Sequence, residues 1–338
     1  MKIHTWAWLA WLSAGLIVLL STRNPFYLLL LATILIIFQS SLPEQGSLSS
    51  VSILRFAASI FVFSTIFNAI ISRYGETTLM TIPGKIPLIS GNITLEALIF
   101  GAINGLVLIN MFTLFTIVNQ VLPVKNLVRL IPQAFQPVAL VTTIALTFIP
   151  ATQRQFSAIR EAQALRGQSL KRLRDWLPLF IPLLTGGLER ALQIAEAMTA
   201  RGYTMRSSDS PSTTWLKWVL PAGLLLLTAG GFLGLFTGLQ IPGWILFGSG
   251  LLLFLLFFIL GGRQFKKTYF QEEIWTVPSY LTFISALTVA IIFLLPTFSH
   301  NSLAYEPYPR ISLPLLQILP LLALLLFLLP LIWQNDPH

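Results

Sequence analysis

The chain has 338 residues, of which 55% are hydrophobic and only 10% charged, and it carries a net charge of +9. Soluble domains hold roughly 25% charged residues, so a water-facing globule of this size is excluded. There is no cysteine, and His4, His300 and His338 lie far apart in sequence, which excludes disulfides, thiolate chemistry and a histidine-based metal cluster.

A helix needs about 20 apolar residues to cross a bilayer. Apolar runs occupy residues 5–20, 26–38, 53–71 and 93–121. The first run leads through Ser21-Thr22-Arg23-Asn24-Pro25 directly into the second, which predicts a tight turn between two membrane helices rather than a cleaved leader. Residues 123–214 then bring amphipathic stretches, prolines and a dense set of basic residues, and four more apolar runs follow at 216–239, 244–260, 280–295 and 313–332. The pattern predicts an all-α polytopic membrane protein of about eight membrane helices, with a cytoplasmic amphipathic region inserted after the fourth. Three segments follow from it: N-terminal membrane helices (1–122), the inserted region (123–214) and C-terminal membrane helices (215–338).

Charge orients this layout. With the N-terminus inside and eight crossings, 17 of the 21 lysines and arginines face the cytoplasm and only Arg23, Arg73, Lys85 and Arg310 face out. That asymmetry is the positive-inside pattern, so the excess of positive charge is expected to report topology rather than nucleic-acid binding. A complete extra crossing by residues 136–150 would expel the basic segment, so this stretch is expected to be re-entrant or to lie on the membrane surface.

The inserted region contains an internal repeat. Ile159-Arg160-Glu161-Ala162-Gln163-Ala164-Leu165-Arg166-Gly167 aligns with Ile194-Ala195-Glu196-Ala197-Met198-Thr199-Ala200-Arg201-Gly202. Each copy reads as a helix that stops at its glycine, because alanine, leucine, glutamine, glutamate and arginine are good helix formers. Glycine readily takes the left-handed conformation that ends a helix. Arg166 and Arg201 then sit in the last turn, where a cation meets the negative end of the helix dipole. Capping or contact with lipid phosphates explains one such arginine; it does not explain why Glu-Ala is repeated as well. A guanidinium grips a carboxylate with two parallel hydrogen bonds, which suits an interface anchor. In the second copy Leu188, Ala191, Leu192, Ala195, Met198 and Thr199 form an apolar stripe at helical spacing, beside a face bearing Arg190, Ile194, Ala197 and Arg201. An amphipathic helix lying on a membrane has the same pattern.

Leu146-Thr147-Phe148-Ile149-Pro150 with the first copy, and Leu188-Glu189-Arg190-Ala191 with the second copy and Tyr203, resemble the transmembrane T component of energy-coupling-factor transporters. That family is marked by two Ala-Arg-Gly signatures. The second copy carries Ala200-Arg201-Gly202 in full, whereas the first reads Leu165-Arg166-Gly167 and has lost the alanine. Arg23-Asn24-Pro25 is similar to the family's first hairpin, and the resemblance covers roughly residues 1–240. It implies a subunit of the plasma (inner) membrane that links a small substrate-binding S component to two cytoplasmic ATPases for vitamin or metal-ion uptake, such as cobalt or nickel. It also implies that Arg166, Gly167, Ala200, Arg201 and Gly202 dock the ATPases, on helices supported by Arg160, Glu161, Ala162, Glu189, Arg190, Glu196 and Ala197. No cofactor is implied.

Other classes have less behind them. An intramembrane enzyme needs facing nucleophiles, carboxylates or ligands, and the spans offer only Glu96, Asn68, Asn104, Asn110 and Asn119. A secondary transporter is expected to repeat its bundles of spans, yet the repeat here lies outside them. The permease of a conventional ABC importer shares a Glu-Ala-Ala…Gly loop, loosely matched by Glu161-Ala162…Gly167…Leu177-Pro178, but usually has one such loop per chain. Gly84-Lys85-Ile86 is not a phosphate-binding loop, so ATP hydrolysis has to come from partners. Gly101-x-x-x-Gly105 is a candidate for close helix packing.

Overall fold

The computed structural model describes residues 3–42, 50–72, 75–82, 91–167, 176–202, 216–236, 240–262, 273–295, 302–308 and 312–334. Lys85, Tyr203, His300 and Arg310 lie outside these described residues. The helices are α1 (Thr5–Ser21), α2 (Pro25–Ser41), α3 (Ser50–Ile71), α4 (Leu95–Val121), α5 (Val124–Arg129), α6 (Gln136–Leu165), α7 (Leu177–Ala200), α8 (Leu216–Phe236), α9 (Gln240–Gly262), α10 (Val277–Leu294), α11 (Ile318–Leu325) and α12 (Leu329–Gln334). Four apolar segments are long enough to cross a membrane by length and composition: Leu95–Val121, Trp218–Leu235, Ile241–Leu260 and Val277–Leu294. Four more, Thr5–Ser21, Pro25–Ser41, Arg55–Ile71 and Ile318–Trp333, are apolar but shorter. At about 1.5 Å per residue a 17-residue helix falls a little short of a ~30 Å hydrocarbon core. The protein is thus a multi-pass, essentially helical membrane protein. One element departs from the all-α expectation: strands β1 (Thr78–Ile82) and β2 (Gly91–Thr94) pair antiparallel, with Thr81 opposite Asn92.

Two compact units form, and they do not follow chain order. The first joins Met1–Val124 to Gln271–His338; the second is Lys125–Phe270.

In the first unit α1 runs beside α10, and α4 packs on α2 and α3. Its core holds Trp8 and Trp11 of α1, Tyr27 and Phe38 of α2, Leu114 and Ile117 of α4, Phe293 of α10 and Phe327 of the C-terminal helix. Trp11 packs its ring 4.7 Å from that of Phe327 and donates its indole N–H to the Phe327 carbonyl at 3.3 Å. The pair Gly101 and Gly105 does bring α4 close to α3. A Cβ on Gly101 would stand 2.9 Å from Thr65 Cα, and Ser64 Oγ donates to the Gly101 carbonyl at 3.2 Å.

Polar ties hold both ends of this unit. At one end the His4 N–H donates to Ser279 Oγ at 2.8 Å, and Thr5 donates its N–H and hydroxyl to the Glu273 carboxylate at 3.1 and 2.8 Å. At the other end is the turn Arg23-Asn24-Pro25. Asn24 is fully buried and caps α2, its Oδ1 accepting from the Phe26 N–H at 3.0 Å. Its Nδ2 donates to the carbonyls of Ser302 and Leu315 at 2.8 and 2.9 Å, and Thr22 Oγ1 donates to the Leu303 carbonyl at 3.1 Å. The C-terminal residues, whose role the sequence did not disclose, therefore close the N-terminal bundle.

In the second unit α8 and α9 form a hairpin held at backbone distance by glycine. A Cβ on Gly250 would lie 2.6 Å from Leu227 N. Phe135, just before α6, packs on Phe257 and Phe258 of α9, with ring centroids 5.7 and 5.8 Å away. Residues 136–150, expected to be re-entrant or to lie on the membrane surface, are the first half of α6, which continues through Pro150 without interruption. Proline removes one intrahelical hydrogen bond, and here the helix carries on past it.

Replacing Asn24 with alanine leaves two buried carbonyls without their donor and removes the α2 cap. At ~1–3 kcal/mol per orphaned group, Asn24→Ala should lower the thermal unfolding midpoint in detergent by many degrees. An unchanged midpoint would show that the C-terminal clamp carries no stability.

Candidate docking site on the paired motif helices

The two sequence repeats end in the same backbone geometry. Helix α6 closes on Arg166 (φ −81°, ψ 4°) and α7 on Arg201 (φ −84°, ψ 8°). Each arginine is followed by a glycine in the left-handed region, Gly167 at φ +79° and Gly202 at φ +72°. The Gly167 N–H donates to the Ala164 carbonyl at 3.0 Å, and the Gly202 N–H to the Thr199 carbonyl at 2.9 Å. These turns satisfy carbonyls that a helix end leaves open. No atom lies within 4 Å of the position a Cβ would take on either glycine. Their requirement within this chain is thus the backbone angle, not space.

All twelve residues singled out by the repeat are exposed: Arg160, Glu161, Ala162, Arg166, Gly167, Glu189, Arg190, Glu196, Ala197, Ala200, Arg201 and Gly202. Arg166 and Arg201 make no ion pair and no side-chain hydrogen bond among the described residues. Leu165, in the place of the first signature's missing alanine, is 90% exposed. Apolar residues on α7 at four-residue spacing are open too, with Leu184 at 69%, Leu188 at 64% and Leu192 at 56% exposure. Helix α7 thus exposes both an apolar row and, beyond it at the C-terminal tip, the Arg201 cation.

The structure does not bring the two tips together. Three ties set how α6 meets α7: the Arg190 guanidinium lies 5.9 Å over the Phe148 ring, Gln155 lies against Gly186, and Gln163 Nε2 donates to the Pro178 carbonyl at 3.5 Å. As the α6 number rises the α7 number falls, so the helices are antiparallel. Arg166 consequently lies near the start of α7, and Arg201 lies a helix length away, about 35 Å at ~1.5 Å per residue. Phe148, Gln155, Pro178 and Gly186 were not assigned roles from the sequence. The signal available was the placement of Pro182, Gly186 and Gly187 inside a helix, where each is unfavourable.

The polar residues of the apolar helices do not converge. Asn110 is buried and donates to the Leu28 carbonyl at 2.9 Å, Asn68 donates to the Ser64 carbonyl of its own helix at 2.9 Å, and Glu96 accepts from the Thr77 N–H at 3.1 Å and from its hydroxyl. These are helix–helix and helix-end ties. Among the described residues no group of three or more histidines, cysteines or acids could hold a metal ion.

The fold is that of a multi-pass membrane protein in which two oppositely directed helices each end in an exposed arginine. Residues 3–215 match the family model described as cobalt transport protein, CbiQ. The chain is 32% identical to the energy-coupling factor transporter transmembrane protein EcfT of Lacticaseibacillus paracasei over 154 residues, covering 38% of this chain and 58% of that protein. It is 32% identical to EcfT of Exiguobacterium sibiricum over 148 residues, 37% of this chain and 56% of the relative. Over a shorter stretch of 71 residues it is 42% identical to EcfT of Leuconostoc gelidum, covering 19% and 26% of the two chains. The chain spans a little over half the length of the first two relatives. It belongs to the CbiQ/EcfT family of energy-coupling-factor transmembrane components, as the twin motifs suggested, and residues 216–338 extend beyond the matched region.

The left-handed angles give a direct test. Alanine at φ near +75° costs about 1–2 kcal/mol, so Gly167→Ala and Gly202→Ala should each speed amide exchange in the last turn of its own helix. Global unfolding should stay unchanged. Equal protection in both variants and the parent would show that the glycine angle is dispensable.

Proposed function

We propose that this protein is the coupling subunit of an energy-coupling-factor importer, and that α6 and α7 are its coupling helices. Each tip docks on one of two cytoplasmic ATPase subunits: Arg166 with Gly167 on one, and Ala200, Arg201 and Gly202 on the other. Closing of the ATPase pair on ATP drives the two tips, and the helices carry that motion to an S component held in the membrane, which selects the vitamin or metal ion. Hydrolysis itself belongs to the ATPases. The reading rests above all on one observation: two helix ends of matched geometry, each with an unpaired arginine, at opposite poles of one antiparallel pair. Two equivalent anchors set apart suit a partner that is itself two-fold. The exposed Leu184, Leu188 and Leu192 row supplies the apolar contact surface beside the second anchor.

In this reading the eight apolar segments cross the plasma membrane, with the N-terminus and α6–α7 on the cytoplasmic side. The distribution of lysine and arginine supports that orientation. The first unit fits the alternation of crossings: the start of α1 ties to the start of α10, and the α1–α2 turn ties to Ser302 and Leu315.

Reversing both charges tests the docking. Arg166→Glu with Arg201→Glu should leave membrane insertion intact and abolish co-purification of the ATPase subunits, because a reversed charge at a desolvated arginine–carboxylate contact costs several kcal/mol or more. Undiminished co-purification of the double variant would remove these arginines from the interface.

A further inference from the structure

Helix α7 contains three residues that helices avoid, Pro182, Gly186 and Gly187, and two of them are accounted for at the place where it meets α6. Pro182 has no N–H, so the Pro178 carbonyl one turn earlier loses its intrahelical donor. Gln163 of α6 supplies the replacement through its Nε2 at 3.5 Å. Gly186 lies on the same face. A Cβ there would collide with Gln155 Nε2, so the glycine is the gap into which the glutamine amide fits. Leu183 completes the face by lining a cleft with Phe148, Thr152 and Phe156 of α6. Leu179, Leu183, Gly186 and Arg190 recur along one stripe of α7 at spacings of four, three and four residues. Gly187 differs from its neighbour, with no atom within 4 Å of its Cβ position.

We infer that Gly186 is a positioning residue of this protein: it seats α7 on Gln155 of α6 and thereby fixes the separation of the two arginine tips. The tips lie at opposite ends of the pair, so any change in spacing or crossing angle at Gly186 is magnified along both arms. A side chain larger than alanine at 186 expels the Gln155 amide, opens the crossing and turns each tip away from its register. Alanine is tolerated because the far end of a glutamine side chain moves aside easily. The geometric part of this inference stands on the chain alone; its consequence for transport rests on the coupling role proposed above.

The absence of cysteine allows two spin labels to be placed cleanly, on Leu165→Cys and Thr199→Cys, and their separation measured in the purified full chain. The parent should give one narrow distance distribution. Gly187→Leu should leave it unchanged, Gly186→Leu should shift or broaden it, and adding Gln155→Ala to Gly186→Leu should restore much of the original distribution. If Gly186→Leu fails to insert, Gly186→Phe and Gly186→Val with and without Gln155→Ala replace it, and rescue by the second substitution is the same criterion. Identical distributions for the 186 and 187 variants, or no rescue by Gln155→Ala, would overturn the inference. In the assembled transporter Gly186→Leu should lower substrate uptake per ATP hydrolysed about tenfold, a scale on which small misplacements of positioned groups act, and adding Gln155→Ala should restore much of it. A distance result as expected, with no ATPase bound even by the parent chain, would refute the coupling role and leave the seating of α7 on α6 intact.

Discussion

The antiparallel contact of α6 with α7 is the constraint on which the rest of the site depends. Two helices packed in opposite directions present their C-terminal ends at opposite poles. An arginine placed at both ends therefore gives two separate exposed cations instead of one concentrated patch. The contact is held by a cation over an aromatic ring, a glutamine amide in a glycine gap and a second glutamine bonded to a carbonyl that proline has freed. None of the three is strong alone. Together they set a register, because each fits at one position along both helices.

The site also illustrates how irregular residues are tolerated inside a helix. A proline that frees a carbonyl is costly in an apolar setting unless a neighbouring helix supplies a donor, and Gln163 does so for Pro178. In the first unit the same rule applies at the ends of helices. Asn24 is buried with both ends of its amide used. The α1–α2 turn is tied to distant segments, so Ser302, Leu303 and Leu315 contribute directly to its structure.

Much of this was legible in the sequence. The apolar runs located the apolar helices, four of them long enough to cross a membrane and four shorter. The repeated Arg-Gly ends announced two helix stops, and the structure places both glycines in the left-handed region. The alignment of Gly101 with Gly105 also anticipated the close approach of α3 and α4. What the sequence could not disclose depends on pairing over long distances. Asn24 reads as a local cap, and nothing near it specifies Ser302 or Leu315, some 280 residues away, as partners. The order of helix packing is hidden for the same reason: an apolar stripe fits many neighbours, so the return of α10 to α1 was not foreseeable. Residues 136–150 form one helix with the first Arg-Gly motif, because helical hydrogen bonding continues across the change from apolar to polar composition. The hairpin β1–β2 escaped notice because it is short and carries no alternating pattern long enough to register.

The measurement that bears most directly on the coupling account is the composition of the assembly. The chain, tagged and extracted in a mild detergent, would be analysed by native mass spectrometry with the proteins that accompany it. One copy of the chain with two ATPase subunits and one small membrane protein is the predicted result. A chain that emerges alone and moves a solute across liposomes without ATP would contradict the account, leaving Arg166 and Arg201 as anchors to lipid phosphate.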